Sequence, residues 1–171
     1  MADDVRPLIL TLALDGEAFG FFDRMRREHF PPERNVVPAH VTLFHALPGA
    51  ERATIGATLD ALCRRRKPMA VAVTGLRFMG RGVAFALESP ELQALRRELA
   101  REWEPWLTPQ DSQRFQPHLT IQNKADPKEA RALHGRLSAG FAPFSFRGEG
   151  LILWRYLGGP WERARAFRFA G

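Results

Sequence analysis

Two tetrapeptides, His40-Val41-Thr42-Leu43 and His118-Leu119-Thr120-Ile121, carry the same order of side chains: histidine, aliphatic, threonine, aliphatic. The chain has five histidines, and two of them fall in this one pattern. On a strand, residues two apart share a face, about 7 Å from each other. An imidazole and a hydroxyl then project together from each tetrapeptide, while the aliphatic pair turns into a core. An imidazole with an ordinary pKa near 6.5 serves as base or acid around neutrality. Making or breaking a phosphodiester at a ribose uses both roles: a neutral ring takes a proton from the attacking oxygen, and a charged ring donates one to the leaving oxygen. Attack and departure are roughly in line, so the two rings must flank the phosphorus. The threonine hydroxyls can donate to the non-bridging oxygens, where charge needs support in the transition state. Nothing in this chemistry calls for a metal.

Strict alternation sorts the neighbours. His40, Thr42 and Phe44 share one face, and Val41, Leu43, His45 and Leu47 the other. His45 is therefore expected to point away from the histidine pair. Phe44 continues the reactive face, placed either to stack on a base or to pack between lobes. In the second tetrapeptide His118, Thr120 and Gln122 line up against Leu119 and Ile121. Lys124, just beyond it, is expected to add positive charge at the edge of the site, or else to be a solvated loop lysine.

The surrounding elements repeat. Pro7–Leu14 reads as a strand, Glu17–Phe30 as a helix stopped by Pro31-Pro32, and His40–Leu47 as a strand. A helix over Ala50–Lys67 and a strand over Met69–Met79 complete a first unit. After the Gly80-Arg81-Gly82 turn, Val83–Leu87 reads as a strand. A helix capped by Ser89 runs to about Trp103, and a loop leads to the strand His118–Gln122. A helix capped by Asp126, an extended Phe144–Trp154 and a last strand Arg165–Phe169 follow. Arg26-Arg27-Glu28 matches Arg96-Arg97-Glu98, Ala13-Leu14-Asp15 matches Ala86-Leu87-Glu88, and Gly75-Leu76 matches Gly150-Leu151. The expectation is an α+β chain made of two β-α-β-α-β units with antiparallel sheets. They form one bilobal domain with an approximate two-fold axis and a central cleft, with each motif on a middle strand. The lobes fall at roughly 1–80 and 81–171, and strands can exchange between them.

Composition limits the alternatives. Hydrophobic residues at 45% and charged residues at 26% suit a globular domain with a core. A net charge of +6, mostly from arginine, favours phosphorylated or nucleic-acid partners without specifying them. Cys63 is the only cysteine, so no disulfide or cysteine metal site is expected. The Met-Ala-Asp-Asp start lacks a basic segment leading into an apolar signal core, and no apolar run approaches the roughly 20 residues that span a bilayer. A cytoplasmic protein without membrane contact, and a monomer, are the expectations. Arg64-Arg65-Arg66-Lys67 reads as a solvated helix end favoured by the helix dipole. Phosphate-loop, dinucleotide-fold, HExxH and GxSxG signatures do not occur in the sequence.

With its HVTL and HLTI motifs at this spacing, the chain resembles the 2H phosphoesterases, a family that includes bacterial 2'-5' RNA ligases and cyclic nucleotide phosphodiesterases. The resemblance covers essentially the whole chain. It implies that His40 and His118 are the catalytic pair and that Thr42 and Thr120 hold the phosphate. It also implies a bilobal fold around a water-filled cleft, no cofactor, and RNA ends or cyclic nucleotides as partners. Members open 2',3'-cyclic phosphates to 2'-phosphates, and some join or cleave 2'-5' linkages. A basic residue near Lys124 is common among them. The competing class is a non-catalytic RNA- or nucleotide-binding module that uses the same cleft.

Overall fold

The computed structural model describes residues 5–171; the Met1–Asp4 start, on which the reading of the N-terminus rests, lies outside them. The first unit runs β1 (Leu8–Leu14), α1 (Gly16–His29), β2 (Val41–Leu47), α2 (Arg52–Arg64) and β3 (Met69–Phe78). The second repeats the order as β4 (Val83–Glu88), α3 (Pro90–Glu102), β5 (His118–Gln122), α4 (Pro127–Ala139) and β6 (Phe144–Tyr156). A hairpin strand, β7 (Trp161–Arg168), falls outside the repeat and begins four residues before the expected start.

The helices begin where their caps require. The Asp15, Ser89 and Asp126 side chains accept from the backbone N–H groups of Ala18, Leu92 and Lys128 at 2.8, 3.2 and 2.8 Å. Each such cap stabilises its helix by about 1 kcal/mol. Pro90 and Pro127 occupy the following position, where a missing N–H costs nothing.

The strands form one curled antiparallel sheet in the order β2-β1-β6-β3-β4-β5, with β7 alongside β6. The last strand of each unit pairs with the first strand of the other: β6 lies against β1, and β3 against β4. At 13 residues, β6 is long enough to pair with β1 through Gly148–Arg155 and with β3 through Phe144–Gly148. That span joins what would be two small sheets into one. Gly82 lets the β3–β4 turn close on β5, because a Cβ there would lie 1.9 Å from the Gln122 carbonyl oxygen.

Apolar stripes of the helices, including Phe22, Leu59, Leu95 and Leu133, share one core with Val41, Leu43, Leu119 and Ile121 of the motif strands. Burying each of these aliphatic side chains contributes about 1.5–3 kcal/mol. That decides which face of β2 and β5 turns inward and leaves the histidines and threonines on the other. Cys63 is packed into the same core, where burial pushes its thiol up to about 12. Among the described residues no helix is long and apolar enough to cross a membrane.

Candidate active site

His40, immediately before β2, and Thr42 within it, with His118 and Thr120 of β5, line a single cleft of about 490 Å³. The two histidines are held alike. The Nδ1–H of His40 donates to the Pro38 carbonyl at 2.8 Å, and that of His118 donates to the Gln116 carbonyl at 3.0 Å. A carbonyl only accepts, so each neutral ring carries its proton on Nδ1 and leaves Nε2 as the free base. Neither Nε2 has a partner among the described residues. The Thr42 hydroxyl is also without one, and Thr120 donates only to the soft sulfur of Met79 at 3.8 Å. Four groups able to engage a phosphate therefore face the cleft uncommitted.

Both motif strands carry a bulge at the same place. Across the β1–β2 pair, Leu10 opposes Phe44 and Thr11 opposes Thr42, so Leu43 is an extra residue. Across the β4–β5 pair, Val83 opposes Gln122 and Ala84 opposes Thr120, so Ile121 is extra. An extra residue shifts alternation by one. The fourth position beyond each histidine accordingly turns inward: Phe44 is fully buried and Gln122 is 6% exposed. The fifth position, His45 in one unit and Asn123 in the other, returns to the cleft.

This corrects the faces expected for three residues: Gln122 turns away from His118 and Thr120, and Phe44 and His45 change sides. Of the two roles open to it, Phe44 takes packing and not base stacking: it does not reach the cleft, and its ring packs edge-on against Trp103 at 5.2 Å and beneath the Arg96 guanidinium at 3.9 Å, both from the other unit. His45 does line the cleft, because the bulge reverses the face that strict alternation assigned to it. Lys124 is exposed, in a left-handed backbone conformation (φ 58°) just past β5, and is not part of the cleft lining. The arginine run at the end of α2 is also apart from the cleft, with Arg65 and Arg66 both paired to Glu98 of α3.

Two buried arginines, related by the repeat, tie each unit to the other's motif. Arg26 of α1 donates through Nη1 to the Thr120 carbonyl at 2.8 Å and through Nε to Asn35 Oδ1 at 3.1 Å. Arg96 of α3 donates through Nε to the Leu43 carbonyl at 2.7 Å and through Nη2 to the Asp111 carbonyl at 2.6 Å. Their matched position in Arg26-Arg27-Glu28 and Arg96-Arg97-Glu98 was the sequence signal for them. Asp111, in the long loop after α3, had none. Trp161 of β7 also lines the cleft, its ring centroid 4.5 Å from that of His40.

Electrostatics favour neutral rings in the free cleft. Burial lowers His40 to about 4, against the raising effect of the Pro38 carbonyl, and the positive charge of Arg26 and proximity of His118 lower it further. His118 is lowered by burial and by Arg77, with the Gln116 carbonyl opposing. Two neutral imidazoles beside cationic arginines form a site prepared for an anion.

A family model of the 2'-5' RNA ligase superfamily matches residues 14–160, a span that contains both motifs. The chain belongs to that superfamily. No curated protein sequence matches the chain. Among solved structures, TT0787 of Thermus thermophilus superposes with a TM-score of 0.70 at 18% identity, over 96% of this chain and 98% of that one. LigT of E. coli complexed with 3'-AMP superposes with a TM-score of 0.66 at 17% identity, over 98% of this chain and all of LigT. LigT complexed with phosphate gives a TM-score of 0.59 at 17% identity, over 98% and 99% of the two chains. The 2'-5' RNA ligase superfamily fold thus extends across the whole described chain, at identities where little beyond the architecture is shared. Membership supports a function of the phosphoesterase or 2'-5' RNA ligase type.

Proposed function

We propose that this protein is a metal-independent phosphoesterase acting on RNA 2',3'-cyclic phosphate ends or on 2'-5' linkages, with His40 and His118 as paired base and acid. The observation that carries this is the matched presentation of the two rings. Each has Nδ1–H anchored on a carbonyl two residues upstream and Nε2 free toward one cleft. In ring opening, one neutral Nε2 takes a proton from the attacking water. The phosphorus–oxygen bond opposite breaks, and the other ring, protonated, donates to the departing ribose oxygen. Reversal exchanges the roles, as the near-symmetry of the site allows. Thr42 and Thr120 donate to the non-bridging oxygens. The LigT complexes with 3'-AMP and with phosphate lend support to a nucleotide phosphate as the ligand class.

The test is turnover of 2',3'-cyclic nucleotides and of RNA ending in a 2',3'-cyclic phosphate, both in EDTA. His40→Ala and His118→Ala should each lower kcat by about 10²–10⁴. No turnover by the native protein, or variants equal to it, removes the catalytic reading. Tight binding of both ligands without turnover would instead identify a binding module.

A further inference from the structure

His45 is more elaborately held than a surface histidine needs to be. Its Nδ1 lies 3.0 Å from Asp111 Oδ1, and its own backbone N–H reaches both Asp111 oxygens, at 2.8 and 3.0 Å. The Ala46 N–H adds a further bond to Oδ2 at 3.0 Å. The Asp111 side chain is fully enclosed. Burial alone would raise its carboxyl, but the bonds from His45 and Ala46 prevail and hold it below the ordinary carboxylate range. Asp111 is in turn fixed from behind, since its carbonyl accepts from the buried Arg96.

The other end of the imidazole is open. The His45 side chain is 43% exposed, lines the cleft, and has no partner for Nε2 among the described residues. Exposed Arg77 and Arg114 share this lining, and its one carboxylate, Asp111, is turned inward. With Nδ1 turned to the Asp111 carboxylate, an imidazolium here donates from both nitrogens, to Asp111 on one side and to an anion in the cleft on the other. The Asp–His arrangement is thus built to present a donor to an anion. The equivalent position in the other unit, Asn123, has no such carboxylate behind it, so the two ends of the cleft differ.

We propose that His45, positioned by Asp111, forms a subsite for a second phosphate of the substrate, next to the one flanked by His40 and His118. The proposal rests on the reading that the motif histidines hold the reacting phosphate. His45 lies three residues beyond Thr42, roughly 10 Å along an unbulged strand. The bulge returns His45 to the cleft that Thr42 lines, so a ligand with one phosphate at the motif histidines can present a second to it. The substrate class is therefore a nucleotide with a phosphate on each side of one ribose: an oligonucleotide end, or a 5'-phosphorylated nucleotide, in preference to a cyclic phosphate on a bare nucleoside.

Titration calorimetry with adenosine 2'-monophosphate and adenosine 2',5'-bisphosphate isolates the second phosphate. The native protein should bind the bisphosphate at least tenfold more tightly. In His45→Gln and His45→Asn that ratio should fall to about twofold or less. The side chain is nearly half exposed, so neither substitution opens the core, and melting temperatures confirm that both variants are folded. A native ratio near one, a ratio that survives both substitutions, or no binding of either ligand overturns the subsite. Turnover of a cyclic mononucleotide with a native ratio near one would leave the phosphoesterase reading standing and remove this one alone.

Discussion

Filling the cleft with an anion should reset the protonation of His40. In the free protein burial lowers this ring to about 4, with Arg26 and His118 reinforcing the effect. A group titrating there is charged in roughly one molecule per thousand at neutral pH. On the proposed reading, His40 in the free protein is then available as a base, and needs a neighbouring anion before it can serve as an acid. A phosphodiester supplies the missing term: one negative charge about 4 Å from the ring, at an effective dielectric constant of about 20, contributes about 4 kcal/mol. At 1.36 kcal/mol per pH unit this raises His40 by about three units, to about 7. On the proposed reading the substrate would thus enable His40 to act as the acid in whichever direction of the reaction uses it so. The assay is a proton NMR titration of the histidine Cε1–H resonances from pH 3.5 to 8, assigned with His40→Asn. It is run with and without sulfate, whose charge is constant over that range. The free His40 resonance should have its midpoint below 5, and saturating sulfate should move it above 6. In turnover, the acid limb of kcat/KM, which reports the free protein, should differ from that of kcat, which reports the complex. A free His40 that titrates at 6.5 or above, or one that sulfate does not move, refutes the reasoning.

The same depression makes the fold sensitive to acid. Between pH 6.5 and about 4 the unfolded chain takes up a proton at residue 40 that the folded protein refuses. Stability is therefore full above 6.5 and falls as pH drops, by about 2–3 kcal/mol once the ring's partial exposure is allowed for. Urea midpoints at pH 7.5 and 4.5 measure this, and equal midpoints would contradict it. Replacing Arg96 with Met removes its two charged bonds and leaves the Leu43 and Asp111 carbonyls without that donor, at a cost of about 3–5 kcal/mol. Urea denaturation should show this, and a loss under 1 kcal/mol would mean that the clamp on the first motif is dispensable.

What could be read from the chain alone was whatever depends on short spacing. The His-x-Thr pairing on one face, the aliphatic residues on the other, the caps at Ser89 and Asp126 and the repeated strand–helix order all follow from local geometry. Burial of Val41, Leu43, Leu119 and Ile121 then leaves each strand one way to face. Alternation failed just past each threonine, and for one reason: a bulge is a property of two strands in register, and β2 does not encode what β1 will place beside it. Phe44 went into the core and His45 into the cleft on that account. The bonds of Arg26 to Thr120 and of Arg96 to Leu43, and the carboxylate of Asp111 behind His45, join residues 53 to 94 positions apart. The twin tetrapeptides determined which matched pairs of side chains would be presented together, and so the chemistry proposed for them. Tertiary structure decided which further groups surround that chemistry, because burial and strand register bring them together only in the folded sheet.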